Sequence, residues 1–146
     1  MAVIDNRVDI DRPPEAVFDY LVDLRNELTW NPGVQSMEKI TPGPVGVGTQ
    51  YRAKWKQSGT VIVECTSFDR PRGWAYRNGG PVSVEFDASV APLDTGTRLD
   101  VRFVARPHGW FRLVFPVFVL VMKRQERTNM ANLKRALEER RDERAH

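Results

Sequence analysis

Few residues in this chain could make or break bonds. It holds one cysteine, Cys65, and two histidines, His108 and His146. A nucleophile needs a base within hydrogen-bond reach. Cys65 falls on the same face of an alternating run as Val61 and Val63, which predicts a buried, inert thiol. His108 sits between Pro107 and Gly109, a surface-loop setting where the last strand gives way to helix. A metal needs clustered ligands, and these residues show no such spacing, so no metal and no cofactor is expected. The Gly-rich stretch Gly43–Gly48 lacks a following Lys-Ser/Thr and runs into a strand, so it does not cradle phosphate. A lid over a cavity entrance suits it better. No catalytic residue can be assigned from these patterns.

Residues with an apolar body and one polar tip say more. Ile4, Val8 and Ile10 alternate with Asp5, Arg7 and Asp9, the period of a strand with one wet side. Asn6 falls on the buried side and must find a partner there. Tyr51, Ala53 and Trp55 share a face opposite Arg52, Lys54 and Lys56. Trp74 and Tyr76 belong to a short strand. Val82, Val84, Phe86, Ala88 and Val90, then Leu99, Val101, Phe103 and Ala105, alternate with polar residues. The tips of Tyr51, Trp55, Trp74 and Tyr76 either orient a guest in a cavity or anchor a filled core. Glu38 and Glu64 are the strand acids whose facing is open; an inward pair would supply an acid and a base.

These residues need a scaffold. Asp11-Arg12-Pro13-Pro14-Glu15 predicts a helix start, with Val17, Phe18, Leu21 and Val22 on its apolar face and an end near Asp23. Leu24–Trp30 is a second short helix, stopped by Asn31-Pro32-Gly33, with Trp30 as a packing anchor. Strands follow over 34–40, 49–57, 60–68, 74–77, 82–90 and 98–105, with turns at Ser58-Gly59, 69–73, 78–81 and 94–96. Pro116 opens a long helix whose stripe is Phe118, Val121, Met122, Met130, Leu133 and Leu137. The pattern predicts one α+β domain over 1–146. A seven-stranded curved antiparallel meander surrounds a long C-terminal helix, and two short helices follow the first strand. Small inner residues Ala53, Ala88 and Ala105 would leave space between sheet and helix. The expected cavity wall is Asn6, Tyr51, Trp55, Trp74, Tyr76, Phe86, Ala88, Phe103, Phe118 and Met122.

The net charge of +3 lies in residues 123–146, where basic and acidic residues alternate as on a solvated helix face. Nucleic acid is therefore not an expected partner. The chain opens Met1-Ala2-Val3-Ile4-Asp5 without a signal-peptide pattern, and Cys65 has no internal partner, so a cytoplasmic setting is expected. The apolar run Trp110–Met122 is too short to span a membrane and is expected to be a buried helix segment. Flanked by Arg112, Lys123 and Arg124, it would also suit transient contact with an anionic bilayer. Oligomeric state is not legible.

The motifs carry a resemblance. Ile10–Leu21, Asp23, Asn26 and Trp30-Asn31-Pro32-Gly33-Val34 come first, then Gly43–Thr49, Phe68-Asp69-Arg70-Pro71, Gly96-Thr97-Arg98-Leu99 and Asn132–Glu138. Together they resemble the SRPBCC superfamily, also called START-like or Bet v 1-like, in its polyketide cyclase/dehydrase and lipid transport branch. The resemblance implies a helix-grip fold around a ligand cavity. It spans carriers of lipids and quinones, aromatase/cyclases and chaperone regulators, and fold does not choose among them. A non-catalytic binder of a small hydrophobic molecule (lipid, quinone or polyketide-like) is the leading expectation. An aromatase/cyclase-type enzyme is the alternative, lowered by the lack of an evident inward carboxylate pair. A protein-interaction regulator using the Arg52, Lys54 and Lys56 strip is the third.

Overall fold

The computed structural model describes residues 2–56, 59–80 and 82–145, with the backbone alone at 110, 111 and 140–145. Ser58, Pro81 and His146, which the sequence reading used, lie outside the described residues, as do the side chains of Trp110 and Phe111. In chain order the elements are β1 (Ala2–Ile10), α1 (Pro14–Val22), a 3-10 turn (Leu24–Asn26), α2 (Glu27–Trp30), β2 (Val34–Lys39), β3 (Gln50–Trp55), β4 (Gly59–Asp69), β5 (Gly73–Asn78), β6 (Val82–Leu93), β7 (Gly96–Pro107), a second 3-10 turn (Gly109–Leu113) and α3 (Phe115–Ala145).

The seven strands form one sheet in the order β1-β7-β6-β5-β4-β3-β2, and every neighbouring pair is antiparallel. The meander therefore runs from β2 to β7, and β1 joins its far edge beside β7 rather than preceding β2. The helical segment between β1 and β2 makes that crossing possible. Register shifts in β2 between Val34 and Ser36, and in β4 between Cys65 and Ser67, mark bulges. Bulges bend a strand and sharpen its twist, which curves the sheet.

The two faces divide as the alternation requires. On the convex face, charged residues pair across strands: Arg102 with Asp5 at 2.8 Å, Arg98 with Asp9 at 2.9 Å, Arg7 with Asp100 at 2.6 Å. Glu38 pairs with Arg52 at 2.9 Å and Glu64 with Arg77 at 3.2 Å, so both strand acids face outward. Exposed pairs of this kind add little to stability, because solvent screens them. The expected basic strip is thereby reduced, because Arg52 is neutralised and Lys54 and Lys56 remain.

On the concave face, two helices provide cover. Pro13 and Pro14 set the start of α1, whose Phe18 meets Phe68 and Trp74 edge-on at ring distances of 5.2 and 5.3 Å. Helix α1 packs over β6 there. Helix α3 closes tightly at its C-terminal half, where Leu133 and Leu137 are fully buried. Burial loosens toward its start, where Phe118 and Met122 are only half-buried. The buried segment expected over 110–122 is therefore not found as such. Leu113, Val114, Val117, Leu120 and Val121 are exposed, and Val121 leaves the predicted stripe. No described helix is long and apolar enough to cross a membrane.

Candidate ligand cavity

A sheet that curves away from a straight helix leaves a hollow where the two diverge. Here it is a partly open cavity of about 180 Å³ beneath the first half of α3. Trp55, Val63, Trp74 and Tyr76 form one wall, from β3 to β5. Val84, Phe86, Leu99, Val101 and Phe103 form the floor, from β6 and β7. Phe118, Met122, Met130 and Leu133 of α3 form the roof. Phe86 and Phe103 stack obliquely at 4.7 Å and give the floor a rigid aromatic plate. A larger groove of about 540 Å³ lies outside, between α2 and α3, lined by Leu28, Thr29, Asn132, Arg135 and Glu139 among others. That groove is mostly polar; a mostly apolar wall makes the smaller hollow the better ligand site.

Seven of the ten expected wall residues line the cavity: Trp55, Trp74, Tyr76, Phe86, Phe103, Phe118 and Met122. Asn6, Tyr51 and Ala88 do not. Ala88 lies opposite Trp74 in the sheet, where α1 packs over β6 and the space is already filled. Tyr51 is fully buried, stacked edge-on against Tyr76 at 5.9 Å, and its hydroxyl donates to Asp23 Oδ1 at 3.5 Å. Burial and then the Asp23 charge push its phenol up to about 12, so it stays protonated. Tyr76 reaches the wall with its ring, but its hydroxyl donates to the Val22 carbonyl at 2.6 Å. Asn6 faces inward as its strand parity requires, and its Nδ2 donates to Glu126 Oε2 at 3.4 Å. It supports the wall from behind. The Gly43–Gly48 loop contributes no wall residue and is tied to β4 through the Gly48 amide and the Cys65 carbonyl at 2.9 Å. It is not a lid on this cavity.

The polar end of the cavity is made by two carboxyls that strand patterns could not show. Glu27 opens α2, and Glu126 lies on α3, one helical turn beyond Met122 and one before Met130. Both line the cavity. Glu126 is buried. Burial pushes its carboxyl up to about 7, against hydrogen bonds from Asn129 and Asn6. Glu27 is pushed up to about 8, first by burial and then by the Glu126 charge, against a hydrogen bond from Asn31. Glu27 keeps partial exposure as a residue although its carboxyl has an interior environment, as expected for a group facing a partly open hollow. The inward carboxylate pair that is not evident in the sequence is thus supplied by helix acids, while Glu38 and Glu64, whose facing the sequence leaves open, point outward.

Three buried polar atoms of residues on this wall have no partner: Asn129 Oδ1, Trp30 Nε1 and Trp74 Nε1. Unpaired buried polar atoms cost about 1–3 kcal/mol each, so each marks a place for a guest or a water. Cys65 is buried with its thiol raised by burial and is no nucleophile. His108 is exposed and bonds Ser83 Oγ at 2.7 Å, away from the cavity. Among the described residues no group of three or more His, Cys, Asp and Glu could hold a metal ion.

Comparison with known proteins places this geometry in context. The family model described as polyketide cyclase / dehydrase and lipid transport matches residues 1–138. No curated protein sequence matches. The Zhui aromatase/cyclase from Streptomyces sp. R1128 superposes with a TM-score of 0.75 at 18% identity, covering 95% of this chain and 94% of that one. A protein from Thermus thermophilus superposes at 0.77 with 17% identity, over 93% and 97%. Ara h 8.0201 superposes at 0.69 with 20% identity, over 93% and 97%. At these identities the structures attest the shared helix-grip fold, and the family model attests the lineage. The chain belongs to the polyketide cyclase / dehydrase and lipid transport family, within the SRPBCC superfamily that its motifs resemble.

Proposed function

We propose that this protein binds one small, largely apolar molecule in the hollow between the sheet and α3. The observation that carries this reading is the aromatic-lined, mostly apolar cavity with two carboxyls on its wall. Its volume sets the guest's size. A dry cavity of roughly 150 Å³ accommodates benzene, so about 180 Å³ suits a one- or two-ring compound rather than a full-length acyl chain. Burying roughly 200 Å² of such a guest supplies on the order of 5 kcal/mol before the cost of immobilisation. The polar end then decides identity and strength.

Filling the hollow tests this. Val101 lies on the floor and is buried. Val101→Phe occupies the guest's space at a folding cost of about 1–3 kcal/mol. Calorimetric titration with 4-phenyl-1-butanol should show binding to the parent chain and none to Val101→Phe. Val84→Phe serves as the second filling variant. Binding that survives both would put the guest elsewhere.

One observation favours a second reading, the aromatase/cyclase-type enzyme. Carboxyls held at about 7 and about 8 are poised for proton transfer near neutrality. If this reading holds, the protein turns over a poly-β-keto substrate and Glu126→Gln abolishes turnover. No turnover by the parent chain would eliminate it.

A further inference from the structure

The chemistry of the polar end points to a class of guest. Three residues on the described cavity wall carry ionisable groups: Glu27, Glu126 and Tyr76. The described wall contains no lysine, arginine or histidine. Tyr76 spends its hydroxyl on the Val22 carbonyl. Asn6 and Asn129 bond Glu126, and Asn31 bonds Glu27. Two wall donors are unpartnered: Trp74 Nε1 on β5, and Trp30 Nε1 on α2, the helix that Glu27 opens. The acceptors are the remaining lone pairs of two carboxyls, which face no cationic residue on the described wall, and the unpartnered Oδ1 of Asn129, a residue only 5% exposed.

Two carboxyls that face no cation on the described wall of an apolar chamber select by charge. A carboxylate guest would bring more acceptors and a like charge. A hydroxyl would bring one donor. An ammonium brings three donors and no acceptor. Its charge would compensate a buried carboxylate that otherwise stays protonated.

Building on the cavity-binding reading, we infer that the site selects an apolar amine. Its ammonium is held by Glu27 and Glu126 with Asn129 Oδ1 as third acceptor, and its hydrocarbon body lies on the Phe86–Phe103 plate. A fatty acid or another anionic amphiphile is the wrong ligand for this cavity.

Three isosteric probes separate the possibilities: 4-phenylbutylamine, 4-phenyl-1-butanol and 4-phenylbutyrate, each titrated calorimetrically into the full chain at pH 8. One charge-assisted hydrogen bond is worth enough for the amine to bind about tenfold or more tighter than the alcohol. The butyrate should bind weakest. Glu126→Gln and Glu27→Gln should each cut amine affinity by about tenfold and leave the alcohol within about threefold. An amine no tighter than the alcohol, or a butyrate tighter than either, overturns the selectivity and leaves cavity binding standing. Amine binding unchanged in both glutamine variants places the ammonium elsewhere and overturns it equally. If none of the three binds, the cavity reading fails and this inference fails with it.

Discussion

Glu126→Gln makes the empty protein more stable at pH 8 and flattens its dependence on pH. Glu126 and Glu27 are raised from an ordinary 4.5 to about 7 and about 8, chiefly by burial. A group whose folded-state pKa is raised binds its proton more tightly folded than unfolded. Its stabilisation is complete below about 4.5 and is lost as pH climbs through 7 and 8. The parent chain should therefore lose stability between pH 5.5 and 8.5. Glutamine mimics the neutral acid, keeps one acceptor for Asn6 and Asn129, and has no proton to lose. It also removes the charge that helps raise Glu27. The gain at pH 8 is on the order of 3 kcal/mol. For a chain of this length that is about 6–12 °C in Tm. Urea midpoints at pH 5.5 and 8 check it. A parent chain of constant stability across that window, or a glutamine variant weaker at pH 8, would contradict the buried-carboxyl account.

Gly96→Ala should be the most damaging substitution of a small residue. Gly96 turns the chain from β6 to β7 with φ at +114°, a region that side chains rarely adopt. A Cβ there would lie 2.3 Å from the Ile10 carbonyl oxygen and 3.1 Å from the Asp11 Cα. Both neighbours are backbone, so the clash cannot be relieved by turning a side chain. It strikes where β1 meets β7, at the Ile10–Thr97 pair, and where Thr97 Oγ1 donates to the Arg12 carbonyl at 2.7 Å. Parting those strands would carry off Asn6 and disturb the cavity floor of Leu99, Val101 and Phe103. The cost is about 3 kcal/mol or more. Gly79→Ala is the control, because a Cβ at Gly79 meets nothing within 4 Å. That change should stay within about 0.5 kcal/mol. Comparable urea midpoints for both variants would refute the close-approach argument.

Much of this architecture can be read along the chain because its strands are two-faced. Period-two alternation gave the inward residues, and three strong breakers, Asn31-Pro32-Gly33, Asp69–Gly73 and Asp94-Thr95-Gly96, separated the elements. Inward facing, however, is not cavity lining. Tyr51 and Ala88 face inward but are covered by packing that depends on where α1 lands, and no local pattern encodes that. The carboxyl pair was missed for two different reasons. Glu126 had a visible signal: it occupies the step between Met122 and Met130 in the apolar stripe of α3, where a leucine or methionine would be ordinary. Counting it with the tail charges hid it. Glu27 had none, since α2 is four residues long and too short to show a face. The apolar strip from Leu113 to Val121 misled in the other direction, because hydrophobicity alone reads as core.

The claim beneath all of this is that a guest enters the hollow under α3. It is tested most directly by titrating 4-phenyl-1-butanol into the methyl-labelled chain and following the side-chain methyl resonances. Saturable shifts confined to the wall residues Val63, Val84, Leu99, Val101, Met122 and Met130 are the expected result. Shifts confined to Leu113, Val117 and Leu120 on the outside of the molecule, or no shifts at all, would contradict it.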